Sequence, residues 1–106
     1  MVNNYMETKF IKIRFNLHCV WKGFSPEYRI FVNDELFIER TYRVEEPYYY
    51  KEMLQVLGPP GLYKIELKAV PPYTNNFIMS DTYIEFGNGK IHNTTEFEIL
   101  WEQKNL

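Results

Sequence analysis

From Lys9 to Trp21 the chain alternates between apolar and polar residues. Ile11, Ile13, Phe15, Leu17 and Cys19 are apolar, while Lys12, Arg14, Asn16, His18 and Lys22 are polar. A period of two held over this length predicts a long strand with one buried face. Gly23-Phe24-Ser25-Pro26 breaks the pattern. Tyr28 to Val32 and Leu36 to Val44 then read as a hairpin around Asn33-Asp34-Glu35, because Asn and Asp tolerate positive φ. The expected registers are Tyr28, Ile30, Val32, Leu36 and Ile38 on one face, with Phe31 and Phe37 on the other.

Glu45-Glu46-Pro47 closes that strand and Tyr48-Tyr49-Tyr50 opens the next segment. Met53, Leu54, Val56 and Leu57 would suit a short helix by composition. A strand is preferred, because Gly58-Pro59-Pro60-Gly61 follows and leaves room for only about two helical turns. Tyr63, Ile65, Leu67 and Ala69 next alternate with Lys64, Glu66 and Lys68 as an amphipathic strand. Pro71-Pro72 ends it, and the loop at Tyr73 to Asn76 leads into Phe77 to Phe86. A closing hairpin is expected at Gly87-Asn88-Gly89, its return strand burying Ile91, Phe97, Ile99 and Trp101. Together these elements predict one domain over residues 1–106. The expected fold is all-β, a compact antiparallel β-sandwich of about seven strands, jelly-roll or immunoglobulin-like. A small closed barrel is the alternative, since strand count does not separate the two.

Composition supports the β reading. Eight Phe and nine Tyr stand against a single alanine, Ala69. Fourteen acids and twelve bases leave a net charge of −2, which speaks against a strongly basic nucleic-acid binder. A lone cysteine, Cys19, forms no intrachain disulfide and lies on the apolar register, as a small core residue does. Met1 to Lys9 is polar and lacks a signal-peptide core, so the glycosylation sequon at Asn93-Thr94-Thr95 is read as chance. No apolar run approaches bilayer length. The expected location is the cytoplasm, or a particle assembled there.

Catalytic chemistry is hard to place. His18 and Cys19 are neighbours on a strand, so their side chains point to opposite faces and form no dyad. Ser25 and Ser80 sit in no nucleophile elbow. Asn33, Asp34 and Glu35 read as a turn rather than a calcium loop, and one Cys with two distant His makes no zinc site. Gly87-Asn88-Gly89-Lys90 joins strand to strand and offers no helix N-terminus to a phosphate. The sequence therefore predicts no catalytic residue, no metal and no cofactor.

Aromatic residues left over from the strands carry more information. Trp21, Phe24, Tyr48, Tyr49, Tyr50, Tyr73 and Phe77 gather near loops and strand ends. They either seal the sandwich edges or form a binding surface, since Tyr and Trp are enriched at interfaces. Arg40 and Arg43, around Tyr42, either bridge to a partner's acids or pair with Glu45 and Glu46. Tyr63, after a turn glycine, has the position of a corner tyrosine whose hydroxyl bonds backbone.

The stretch Arg29-Ile30-Phe31-Val32-Asn33-Asp34-Glu35-Leu36, with Glu39-Arg40-Thr41, Glu52-Met53-Leu54 and Pro60-Gly61-Leu62-Tyr63, carries a resemblance. It resembles small β-sandwich proteins encoded by tailed phages of marine cyanobacteria, and is loosely similar to calcium-dependent xylan-binding modules. Near Asn75-Asn76 the acidic calcium loop of the xylan binders has no counterpart, so neither metal nor sugar ligands carry over. The resemblance implies a phage-encoded virion or accessory protein, acting in the host cytoplasm or the virion.

The expected function is a non-enzymatic structural or protein-interaction module, self-associating or binding a protein partner. Its binding residues would be Arg40, Arg43, Tyr48, Tyr49, Tyr50 and Tyr73. A carbohydrate-binding module stacking sugars on Tyr48, Tyr49, Tyr50 or Trp101 is the alternative. Third comes a single-strand nucleic-acid binder using the strip Phe10, Lys12, Arg14 and Lys22.

Overall fold

A computed structural model describes residues 8–101. The polar opening segment therefore lies largely outside the described residues. Eight strands follow in order: β1 (Lys9–Cys19), β2 (Glu27–Val32), β3 (Glu35–Thr41), β4 (Tyr50–Gly58), β5 (Gly61–Ala69), β6 (Phe77–Phe86), β7 (Gly89–Asn93) and β8 (Glu96–Ile99). They form a three-stranded sheet, β4-β1-β6, and a five-stranded sheet, β3-β2-β5-β8-β7, with every pairing antiparallel. This is an all-β sandwich. Among the described residues β3, β4, β6 and β7 each pair on one side only, so neither sheet closes into the alternative barrel.

Alternation in β1 holds as predicted. Ile11, Ile13, Phe15, Leu17 and Cys19 are all buried, and the intervening side chains face outward. Each fully buried large aliphatic or aromatic side chain contributes roughly 1.5–3 kcal/mol, so this row anchors the core. Tyr28, Ile30 and Val32 of β2, Tyr42 just past β3, Leu54 and Val56 of β4, Ile65 of β5, and Phe97 and Ile99 of β8 complete it. The segment at Met53 to Leu57 is a strand, in line with the preference over a helix.

The strand count of eight agrees with the expected number of about seven, the segment after Gly89 dividing into two strands. Four expectations need correction. Gly87-Asn88-Gly89 is not a hairpin turn within one sheet. It is a corner carrying the chain from β6 to β7, which lies in the other sheet. The tight hairpin lies next, at Thr94-Thr95 between β7 and β8, where the Asn93 side-chain oxygen accepts from the Thr95 amide at 3.0 Å. Trp101 is exposed rather than buried by the return strand.

The third correction concerns register. Asn33 and Asp34 adopt φ of 48° and 69°, as a tight turn of positive φ requires. A bulge then shifts the β2–β3 pairing between Ile30 and Phe31, so that Leu36 lies opposite Phe31 and faces solvent. Phe37 packs against the core instead. Finally, β3 ends at Thr41, and residues 42–49 form a loop into β4.

Candidate functional site

That loop carries three of the predicted binding residues, Arg43, Tyr48 and Tyr49, with Arg40 before it on β3 and Tyr50 after it on β4. Its foot is pinned at three points. The Tyr42 amide donates to the Pro26 carbonyl at 2.8 Å, and its buried ring donates its hydroxyl to the Leu17 carbonyl at 3.1 Å. The Trp21 indole N–H donates to the Val44 carbonyl at 2.8 Å. Beyond these anchors the Tyr48 amide donates to the Glu45 carbonyl at 3.0 Å, closing a turn with the cis Glu46-Pro47 bond at its centre. His18 Nε2 lies 3.3 Å from Glu46 Oε2. The rings at the tip are left to solvent, Tyr48 70% and Tyr49 56% exposed.

Tyr50 differs from its neighbours. It opens β4, is half-buried, and carries the Arg40 guanidinium over its ring at 5.4 Å. Arg40 in turn grips Glu52. Its Nε donates to Oε2 and its Nη2 to Oε1, both at 2.9 Å. The Tyr28 hydroxyl donates to Oε2 at 2.6 Å, and the Met53 amide to Oε1 at 3.1 Å. Pairing of Arg40 with Glu45 or Glu46 is thereby corrected: Glu52 takes it, because a buried carboxylate attracts a cation more strongly than a solvated one. Burial, followed by the Glu52 hydrogen bond, pushes the Tyr28 hydroxyl far above its usual value. Its own hydrogen bonds to Glu52 raise the Arg40 guanidinium above its usual value.

Glu52 is not among the sequence-predicted site residues. The signal was present, for Tyr50, Glu52, Leu54 and Val56 share one parity in β4 and the other three are half-buried or buried. Four donors on two oxygens occupy the lone pairs of the carboxylate. It thus has no acceptor position left for a substrate, and its chemistry is that of a structural charge.

Tyr28, Arg40, Thr41, Tyr42, Arg43, Val44 and Tyr50 line a shallow cleft of about 120 Å³ beside this network. Arg43 is exposed at its rim and has no ion-pair partner among the described residues. Tyr73 lies at the same end of the sandwich, in a connection tied back by Val70 N–H to the Glu27 carbonyl and by Asn75 to the Val20 carbonyl. It is half-buried and does not line the cleft. Of the other leftover aromatics, Phe77 packs on Tyr28 and Tyr42 with ring centroids 5.1 and 5.8 Å away, Trp21 is half-buried, and Phe24 is exposed.

The remaining candidates are placed as follows. Cys19 is buried, and burial raises its thiol pKa. Tyr63 is a corner residue, its hydroxyl donating to the Pro59 carbonyl at 2.5 Å. In the basic strip of β1, Arg14 Nε donates to Glu85 at 2.6 Å, which holds the Glu85 carboxyl below its usual range. One of that strip's three cations is thus paired within the chain. Among the described residues no group of three or more His, Cys, Asp or Glu is arranged to hold a metal, and no helix is long and apolar enough to cross a membrane. In comparisons with known proteins, no family model, no curated protein and no solved structure matches this chain.

Proposed function

We propose that this chain is a non-enzymatic protein-interaction module that docks a partner on the tip of the loop at residues 42–49. The observation that carries the reading is the contrast within that loop. Its foot is pinned by Tyr42, Val44 and Trp21, while the Tyr48 and Tyr49 rings at its tip are left largely exposed. A pre-ordered loop loses little entropy on binding, and tyrosine supplies large contact area with few rotatable bonds. Arg43 at the rim adds a cation for an acidic group of the partner. A virion or accessory role for such a module accords with the phage-protein resemblance.

Selection from a displayed random-peptide library tests this. Peptides enriched by the wild type are expected to carry acidic and aromatic residues, and to be lost with Tyr48→Ser/Tyr49→Ser and with Arg43→Glu. Enrichment that survives both variants, or none at all, would overturn the reading. The same two adjacent exposed rings also favour a second reading, sugar stacking. A glycan panel separates the two: binding to a glycan that disappears with Tyr48→Ser assigns the loop to carbohydrate.

A further inference from the structure

The outer face of the three-stranded sheet presents a separate surface. Register sets Phe10 opposite Leu57 and Lys12 opposite Phe86. The Phe10 and Phe86 rings lie 5.8 Å apart, so one end of the face carries apolar side chains from all three strands. Leu57 is 68% and Phe86 58% exposed. Further along, Arg14 lies opposite both Met53 and Tyr83. An antiparallel sheet face turned to water is ordinarily polar, and a row of large apolar groups across every strand marks an interaction surface. The polar groups between them are already engaged, Arg14 with Glu85 at 2.6 Å and Asn16 with Asp81 at 3.0 Å.

The two flanks of this face are complementary to each other. On β4 the outward residues are Lys51, Met53, Gln55 and Leu57, a row with one cation and no acid. On β6 the charged residues are Asp81 and Glu85, with no cation. We infer that this face is an interface between two copies of the chain, related by a two-fold axis parallel to β1. Such an axis lays β4 of one copy across β6 of the other and keeps like strand ends together. Leu57 then meets the Phe86 end of the second copy, Met53 meets Tyr83, and Lys51 meets Asp81. Phe10 lies on the axis and meets itself. An axis perpendicular to the strands would instead stack β4 on β4 in reversed direction and set the apolar end against His18. Lys12 and Arg14 are the like-charge contacts along the axis; Arg14 is already paired with Glu85, and the field of Lys12 acts on the same carboxylate.

Light scattering of the full chain from micromolar to millimolar concentration is the test. The mass is expected to rise from 12.9 kDa and level off at twice that value. Leu57→Lys/Phe86→Lys alters only exposed positions, so the fold is retained, and the dissociation constant should rise about tenfold or more. Phe10→Cys is expected to give a disulfide-linked dimer on oxidation, and Leu62→Cys, exposed on the other sheet, is expected not to. A monomer at every concentration, a mass that climbs without a plateau, or a dimer indifferent to Leu57→Lys/Phe86→Lys would each overturn the inference. Crosslinking through Leu62→Cys instead of Phe10→Cys would do the same. Tyr48→Ser/Tyr49→Ser should leave the dimer intact. Its dissociation by that variant would transfer self-association to the loop, whereas peptide selection on the loop stands or falls separately.

Discussion

Glu52 is 1% exposed at its side chain, yet its partner Arg40 remains 42% exposed. That asymmetry decides how the pair responds to mutation. Removing the cation strands a buried carboxylate, whereas removing the carboxylate leaves a cation that water can still reach. Arg40→Leu is expected to cost about 3–5 kcal/mol, and Arg40→Leu/Glu52→Leu clearly less than Arg40→Leu alone. Urea unfolding of the four proteins in this cycle measures it. An Arg40→Leu loss below about 1 kcal/mol would contradict buried-charge anchoring. The Tyr28 hydroxyl gives a second residue-scale signature. Its folded value is raised above 10.0, so its contribution is fully present below pH 10 and is lost as pH rises beyond it. Burial raises Tyr42 and Tyr63 with the same sign. Stability should fall above pH 10, and Tyr28→Phe should remove about 1.4 kcal/mol per pH unit of that slope. Denaturation midpoints between neutral and strongly alkaline pH would show it. None of this network was legible at Glu52 by itself, because the donors come from β2, β3 and the next amide of β4.

Elements in this fold are joined mostly by corners that change sheet. Only β2–β3 and β7–β8 are consecutive strands that pair. Local chemistry announces the first hairpin through Asn33-Asp34, whereas the second, held by the Asn93 side chain, falls inside what the sequence reads as a single return strand. The Gly87 corner is different, because its φ of 103° suits a turn of either kind. What makes it a corner is the packing of β1 beneath it: a Cβ on Gly87 would lie 2.6 Å from the Phe10 carbonyl and 3.0 Å from Ile11 Cα. Gly23 has a similar φ of 87° with nothing within 4 Å. Gly87→Ala is therefore expected to cost about 2 kcal/mol or more, combining backbone strain with a clash. Gly23→Ala should cost only the strain, about 1 kcal/mol. Equal losses in thermal or urea unfolding would show that the β1 contact is not what constrains the corner.

For the whole molecule the core is a single layer between two sheets, and Cys19 reports on it. Its thiol is buried on the inner face of β1, and burial raises its pKa. Labelling by a thiol reagent is expected to be blocked in the folded protein and to follow global unfolding as urea is added. Rapid labelling without denaturant would mean that the Cys19 end of β1 opens locally.

Alternation along the chain was enough to place β1 and β5 and to put Cys19 in the core, while the turn at Gly58-Pro59-Pro60-Gly61 chose strand over helix at Met53 to Leu57. Period two is a local property, and a strand with one buried face writes it directly into neighbouring residues. Tertiary structure decided what depends on separated segments. It alone assigned β6 and β7 to different sheets, turned Leu36 outward through a bulge, and coupled Arg40 to Glu52. It also left Tyr48 and Tyr49 exposed while placing Phe77 against Tyr28 and Tyr42. In each case the outcome rests on which side chain another strand brings within reach, and the free energy of that contact has no trace in the spacing along either strand.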